Sequence, residues 1–294
     1  THTFAPLFGS AAAASALANL SEDQTRWMIS YTAQQASGVN CWQRDEDHIE
    51  KAFDFGGMAA RNGVASATMV QAGWTGLEDV FSGPRNFFFA FAPDDAQPEL
   101  LLHELGKRYE ITLTNIKKWT VGSPIQAVLD STQALILEND LAPDDIAEII
   151  VRMSDNESHV VDSRHIADIN CQHMTAVMVM DKTVTFETAH DNDRMNDPDI
   201  LAQKAKVKLT PDPSLPRRQP IIEIKTTDGR DLTHRTMAVR GTPDNPMTKQ
   251  EVGDKAFELF AGPLGETKAQ DLIDRVWNIE DVANVRDLSP LLMP

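Results

Sequence analysis

The first hundred residues carry apolar side chains at helical spacing. A run of small apolar residues predicts an alanine-rich helix over residues 10–20, and its narrow polar face indicates burial on most sides. Ser21 and Gln24 have the spacing of a capping box, which predicts a helix over residues 24–37. The remaining segments predicted here are a short helix or turn over residues 49–55 and helices over residues 57–72 and 99–108.

The pattern changes near Tyr109, where apolar and polar residues begin to alternate. This alternation predicts a strand over residues 109–114. Ser123 and Gln126 have capping-box spacing around Pro124, which predicts a helix over residues 124–138. A strand over residues 146–153 follows, and strand–helix–strand order indicates an α/β layer.

Later segments continue the α/β pattern and then return to helices. Asp228 and Gly229 predict a tight hairpin. Thr248 and Glu251 form a third capping box, which restarts helical structure. The elements predicted here are helices over residues 173–180, 199–206, 249–260 and 266–277 and hairpin strands over residues 221–227 and 230–236.

Length and charge narrow the classes of partner. The chain has 294 residues and a formal net charge of −17, and this length can bury a sizeable core in one or two domains. We expect no nucleic-acid partner, because phosphate backbones need a basic surface, and no contact with anionic membranes. An anionic substrate would require a local cluster of lysine and arginine.

Several cofactor and targeting classes are also disfavoured. Cys41 and Cys171 are too few for a disulfide framework or an iron–sulfur cluster, so we expect a cytoplasmic protein. No apolar run approaches the roughly 20 residues of a membrane helix. His173, His190 and Asp191 match no compact metal-ligand spacing. Because nucleotide-binding and nucleophile-elbow motifs are missing as well, we expect no metal and no cofactor.

Residues 51–63 carry the clearest candidate chemistry. Lys51 precedes Gly56 and Gly57, which lead into small residues at a predicted helix start. A helix N-terminus presents free N–H groups to an anion, so a lysine beside it is a candidate carboxylate site. The alternative from the residues alone is a tight helix–helix crossing at the glycines, with a solvent-exposed lysine.

Four segments follow one another in the order that one enzyme family shows: residues 51–63, 115–124, 168–173 and 241–247. Together they resemble the MmgE/PrpD family, which includes 2-methylcitrate dehydratase, cis-aconitate decarboxylase and iminodisuccinate epimerase. Each motif alone is weak, whereas the ordered set covers nearly the whole chain.

The resemblance implies an α plus α/β fold, in which a smaller α/β domain is inserted into a helical domain. Residues 1–108 would form the first part of the helical domain and residues 109–243 the α/β domain. Residues 244–294 would be C-terminal helices that return to the helical domain.

The resemblance also implies three catalytic residues, His2, Lys51 and Lys117. The family's first lysine lies one residue nearer the glycines than Lys51, so this assignment needs a one-residue shift in the loop. Lys117 lies two residues before Trp119, where the family has a lysine before an aromatic residue, and Lys118 is interpreted as a solvated neighbour. The histidine would move a proton; the alternative for it is a frayed terminal residue.

Gly57, Arg61 and Gln126 are the predicted substrate-binding residues. Arg61 has a structural salt bridge as its alternative. Gln126 occupies a position where many family members have a histidine before an acid, here Asp130. It could bind a carboxylate or cap its own helix, and capping is the preferred interpretation. We expect Lys51 and Lys117 to face one cleft.

The implied activity is cofactor-independent lyase chemistry on a small anionic polycarboxylate, most simply a 2-methylcitrate dehydratase-like loss of water. Decarboxylation and epimerisation share the first proton abstraction and stay open. A function of another class is a non-catalytic subunit or fragment, because the family has a further helical segment before this point. The expected partners are therefore a second copy in a homodimer, or a separate N-terminal half, either of which would cover the helix over residues 10–20.

Overall fold

The chain forms two compact units, divided between Arg108 and Tyr109. The structure is a computed structural model, and it describes residues 3–37, 39–45 and 49–293. The first unit is helical, and the second contains a small mixed sheet and further helices. The α plus β class is therefore confirmed, and the insertion of one domain into the other stays a prediction.

The helices of the described residues are α1 (Phe4–Leu17), α2 (Glu22–Gln34), α3 (Ile49–Ala52), α4 (Ala59–Gln71), α5 (Phe87–Phe91), α6 (Gln126–Glu138), α7 (Asp155–Val161), α8 (Cys171–Asp181), α9 (Phe186–His190), α10 (Pro198–Lys204), α11 (Lys249–Leu264) and α12 (Glu266–Trp277). The strands are β1 (Ile146–Met153), β2 (Val207–Pro211), β3 (Ile221–Thr226) and β4 (Asp231–Arg235).

In the first unit, α1 packs along α4, and α2 packs against both. Gly63 lies at the α1–α4 crossing, where an added Cβ would stand 2.4 Å from the carbonyl oxygen of Leu7 and 2.7 Å from the nitrogen of Ala11. A tight helix crossing thus occurs in the 51–63 motif at its last glycine. An added Cβ on Gly57 would meet nothing closer than a Phe53 ring atom at 3.9 Å.

The predicted helix start at the paired glycines is wrong. Phe53–Met58 forms a π-helical turn between α3 and α4, and both flanking residues, Ala52 and Ala59, have right-handed helical dihedrals. Because the helix has already begun at Ile49, Gly57 lies inside a turn and offers no free helix N-terminus to an anion.

Helix α1 begins at Phe4, six residues before the predicted start. Its buried residues are Leu7, Ala11 and Ser15, whereas Leu17 is 85% exposed. The helix is therefore covered along one stripe within the chain. Burial of the rest against a second polypeptide stays a prediction.

The second unit is built on a four-stranded sheet in the order β2-β1-β3-β4. Strands β1 and β2 are parallel, and the other neighbouring pairs are antiparallel. Helices α6 and α8 pack on the sheet and on each other. This arrangement buries the main core, which includes Leu129, Ile149, Met174, Met178 and Ile222.

Two predicted elements of the connecting region are wrong. Residues 109–114 contain a 3-10 turn, Glu110–Leu113, in place of a strand. Ile111 is 80% exposed, and the sheet of the described residues does not include this segment, so its backbone groups have no ladder to join. The predicted helix over residues 99–108 is a 3-10 turn followed by Glu104 and Gly106 at positive φ, a conformation that ends a right-handed helix.

Most other predictions for the second unit are confirmed. Strand β1 has its predicted bounds, and β3 and β4 form the predicted hairpin. Strand β2 and helices α7 and α9 of this unit were not predicted from the sequence, and neither was α5 of the first unit. Helices α11 and α12 pack on each other and group with the second unit; their return to the helical domain stays a prediction. No helix within the described residues is long and apolar enough to cross a membrane.

Candidate functional site

Residues 116–122, the lysine segment, are held at both ends by two other landmark motifs of the same unit. The Ile116 N–H donates to the Gly241 carbonyl at 2.8 Å, and the Gly122 N–H donates to the Asp168 carbonyl at 2.8 Å. Three motifs that resemble family landmarks and lie far apart in the sequence therefore meet around Lys117. Each motif was identified in the sequence, and the structure shows that the three are in contact.

Only glycine fits at position 241. Its φ is +94°, and an added Cβ would lie 1.7 Å from the Ile116 oxygen. Its N–H donates to the Asn245 carbonyl at 2.8 Å, which closes the turn that follows. This close backbone approach sets where the lysine segment begins.

Gln126 binds the backbone of the lysine segment through its side chain. Its predicted role as a helix cap is wrong. The side chain is 3% exposed. Its amide oxygen accepts from the Trp119 N–H at 3.0 Å, and its amide nitrogen donates to the carbonyls of Trp119 and Val121 at 2.8 and 3.2 Å. Both ends of the amide are thus engaged by backbone groups of the segment. Substrate binding by Gln126 stays a prediction.

Trp119 is the apolar anchor of the segment. Its ring is buried, and its indole N–H donates to Asp130 at 2.9 Å. The other carboxylate oxygen of Asp130 accepts from the Arg240 N–H at 3.0 Å. The Arg240 guanidinium pairs with Glu251, with Nε and Oε1 3.1 Å apart. This contact first, and hydrogen bonds to Thr248 with it, lower the pKa of Glu251 to about 2. Helices α6 and α11 are linked through this network.

The two lysines of the segment occupy different surroundings. Lys117 is exposed, and its ammonium donates to the Val121 carbonyl at 3.0 Å. Lys118 is half-buried, donates to Gln133 at 2.9 Å, and lies 4.1 Å from the centroid of the Trp119 ring. Burial lowers the pKa of Lys118. The interpretation of Lys118 as a solvated neighbour is therefore wrong, because α6 and the indole ring cover it.

Lys255 is a residue of this region that sequence reasoning missed. It lies on α11, and its ammonium donates to the Lys117 carbonyl. Burial lowers the pKa of Lys255, and the charge of Lys117 lowers it further. Its spacing of four residues from Glu251 places both on one helix face. This four-residue spacing can be read from the sequence, but the sequence does not show which segment this face of α11 contacts.

In the first unit, Lys51 lies among aromatic rings. Its ammonium is 5.7 Å from the Trp42 ring centroid and 5.8 Å from that of Phe55, within range of cation–π attraction. Asp45 accepts from the Glu50 N–H at 2.7 Å, so a carboxylate of the chain binds the start of α3. Lys51 thus lies in the first helical turn, although not beside the glycines.

The other predicted site residues are placed as follows. Arg61 is exposed; its guanidinium donates to Asn62 at 3.1 and 3.2 Å and lies 6.0 Å from the Phe53 ring centroid. Gly57 is exposed within the π-helical turn. His2 lies outside the described residues. Lys51 and Lys117 belong to different units, so their shared cleft stays a prediction.

Two open grooves lie elsewhere in the part of the chain that the structure describes. One, of about 670 Å³, runs between α11 and α12 beside Phe257 and Trp277. The other, of about 650 Å³, lies in the first unit beside Leu20 and Phe81. Neither is lined by any predicted site residue whose position the structure describes. Within the described parts of the chain, no three His, Cys, Asp or Glu side chains are grouped to hold a metal ion.

His173, at the end of the 168–173 motif, is fully buried. Its backbone N–H donates to the Asn170 side chain at 2.9 Å, but neither ring nitrogen has a hydrogen-bond partner among the residues that the structure describes. Burial lowers the pKa of His173 to about 4, and the charges of Lys204 and Arg194 act in the same direction, while Asp191 opposes them. The imidazole is therefore held neutral.

We expect His173 to make the protein less stable in mild acid. The unfolded histidine titrates near pH ~6.5, above the folded value of about 4, so the unfolded chain takes up the proton first. Stability is then lost as the pH falls between these values, by at most about 1.4 kcal/mol per pH unit. Urea unfolding of His173→Gln should show a flatter pH dependence in this window. The exposed His159→Gln should keep the wild-type slope, and an unchanged slope in His173→Gln would contradict the assignment.

Both units match models of one family. Residues 1–99 match the MmgE/PrpD N-terminal domain, and residues 119–281 match the MmgE/PrpD C-terminal domain. The chain is similar to the cis-aconitate decarboxylases of Homo sapiens and Mus musculus, at 24% and 25% identity over 97% of its length. It spans 60% of the length of each of these relatives. The chain belongs to the MmgE/PrpD family.

Proposed function

We propose that this chain carries cofactor-independent lyase chemistry on a small polycarboxylate, with loss of water as the reaction. The observation that carries the proposal is the lysine segment: its ends, Ile116 and Gly122, are held by the Gly241 and Asp168 carbonyls, and the Lys117 ammonium within it donates to the Val121 carbonyl. A cation fixed in this way suits recognition of a carboxylate, and the family of the chain includes enzymes named for acting on such acids.

The proposed chemistry begins with removal of a proton from the carbon next to a substrate carboxylate. Electron density from that C–H bond moves onto the carboxylate, which acquires enolate-like charge, and Lys117 stabilises this charge. Departure of a hydroxyl group from the neighbouring carbon, as water, completes the elimination. In this proposal His2 moves the proton and Lys51 binds a further carboxylate, with Gly57, Arg61 and Gln126 as substrate-binding residues.

The rigidity around Lys117 supports this role. The residues around it are fixed by Gly241, by the Gln126 amide and by the buried Trp119 ring, and its own ammonium donates to the Val121 carbonyl. Because a preorganised cation is already in position, no free energy is lost in ordering it during the reaction. Its attraction for the developing negative charge can therefore stabilise the transition state in full.

We expect the protein to exchange substrate C–H protons for deuterium, followed by proton NMR, with one or more members of a panel of citrate-like and succinate-like acids. Lys117→Ala should slow this exchange by about 100-fold, because losing one group that stabilises the charge developing in the transition state costs about 3 kcal/mol. Lys268 is the matched control, since its ammonium also donates to a backbone carbonyl, and Lys268→Ala should exchange at the wild-type rate. Wild-type exchange by Lys117→Ala would refute the role of Lys117.

A second candidate is decarboxylation, favoured by the two relatives that are named cis-aconitate decarboxylase. Epimerisation is a third outcome of the same proton abstraction. Product analysis separates the three, because only decarboxylation releases CO2 and only dehydration forms a new C=C bond with all carbons retained.

The function of another class is a non-catalytic subunit or fragment. It predicts that the chain alone exchanges no proton with any acid of the panel, and that exchange appears when a separate N-terminal half is added. A homodimer acting in the cytoplasm on the polycarboxylate remains the arrangement that we propose.

A further inference from the structure

We propose that Lys255 is a second cation of the Lys117 site, which binds a carboxylate of the polycarboxylate together with Lys117 and positions the lysine segment. The Lys255 ammonium donates to the Lys117 carbonyl, so α11 contributes directly to the segment. This inference rests on the proposed function for the class of ligand.

The geometry leaves Lys255 able to bind an anion. An ammonium group has three N–H donors, and one of them is used by the Lys117 carbonyl. Lys117, whose backbone carbonyl Lys255 binds, has its own ammonium turned toward the Val121 carbonyl at 3.0 Å. A carboxylate has two oxygens and can accept from two such donors at once.

Helix α11 is fixed on both sides of Lys255. Glu251, one turn earlier, pairs with Arg240. Glu258, one turn later, accepts from the Phe186 N–H. These three residues of α11 share one helix face, and all three contact the body of the second unit. Lys255 is therefore held against the lysine segment and does not swing freely into solvent.

The charges around this point favour an anion. Lys117 and Lys255 are close enough that the charge of Lys117 lowers the pKa of Lys255, in the same direction as burial. Glu258 opposes that shift, but its carboxylate also binds the Phe186 N–H. Two ammonium groups held near each other repel, which is unfavourable. Such a local concentration of positive charge is unusual in a chain of net charge −17. A bound carboxylate would relieve the repulsion.

Protection from acylation tests the inference on the wild-type protein. Lysines are labelled with an amine-acylating reagent, with and without citrate, and each site is quantified by peptide mass spectrometry. We expect citrate to slow the labelling of both Lys117 and Lys255 severalfold, and to leave Lys268 on α12 unchanged. The neutral trimethyl ester of citrate should protect neither residue.

Two substitutions separate the charge from the packing of the side chain. Lys255→Met should weaken citrate binding, measured by calorimetry, about tenfold or more, whereas Lys255→Arg, which keeps the charge, should weaken it less. In Lys255→Met, the pH dependence of Lys117 acylation should move to higher pH, because the neighbouring positive charge is gone.

The outcomes are distinct. Protection of Lys117 without Lys255 overturns this inference and leaves the proposed function standing. Protection of neither residue by any acid of the panel overturns the anion site at Lys117 and with it the proposed function. Wild-type citrate affinity in a folded Lys255→Met overturns the inference as well. If that variant fails to fold, the protection measured on the wild-type protein decides.

Discussion

Gly241→Ala should lower the free energy of unfolding of the second unit by about 2–6 kcal/mol. At φ +94°, a side chain is strained by about 1–3 kcal/mol. The new methyl group would also lie 1.7 Å from the Ile116 oxygen, which forces apart two backbone segments and costs about another 1–3 kcal/mol. Urea unfolding measures the loss.

Gly229→Ala is the matched control for this prediction. Gly229 has φ +90°, but an added Cβ there would meet nothing within 4 Å. Its substitution should therefore cost only the strain of about 1–3 kcal/mol. Equal losses in the two variants would contradict the close contact at Ile116. We further expect Gly241→Ala to displace the lysine segment and reduce proton exchange together with stability, because the Ile116–Gly241 hydrogen bond sets where that segment begins.

Gly63→Ala should separate α1 from α4 and destabilise the first unit by about 1–3 kcal/mol or more. The added Cβ would stand 2.1 Å from the Ser10 hydroxyl oxygen, which can rotate away, but also 2.4 and 2.7 Å from backbone atoms of Leu7 and Ala11, which cannot. The helices must therefore move apart, and the stripe that buries Ala11 and Val70 opens. Thermal or urea unfolding followed by circular dichroism measures the effect.

Gly9 provides the control on the same helix. It is exposed on α1, and no atom of the described residues would lie within 4 Å of an added Cβ there. Gly9→Ala should stabilise the unit by up to about 1 kcal/mol, because alanine has the higher helix propensity. The same chemical change is thus expected to have opposite signs at two positions. Destabilisation by both variants would indicate that the α1–α4 crossing is not the cause.

The three predicted capping boxes show when a local sequence pattern is enough to predict a helix cap. Those at Ser21 and Thr248 form with both reciprocal hydrogen bonds. The third, at Ser123, does not form, because the Gln126 amide is buried and bonded to the backbone at Trp119 and Val121. Two residues at capping-box spacing suffice to encode a cap when their side chains stay at the surface. When the second side chain turns inward, backbone groups outside the box compete for its donors and acceptors, here those of Trp119 and Val121.

The lysines show the same limit for the site. Lys117 and Lys118 are neighbours in sequence, and the family resemblance selected the first. The structure adds that Lys118 is covered by Trp119 and Gln133, positions that local periodicity does not relate to it. Lys255 comes from 138 residues further along the chain, and only the docking of α11 makes it part of the region.

The sequence by itself determined the family, the mixed α and β class, the bounds of β1 and the hairpin of β3 and β4, because periodicity, turns and caps act over a few residues. It also singled out the motifs that meet around Lys117. The tertiary structure alone decided that residues 109–114 are not a strand, that Gly63 is the crossing glycine, and that Lys255 approaches Lys117. Strand pairing, steric contact and the approach of like charges depend on residues far apart in the chain, so no local pattern contains them.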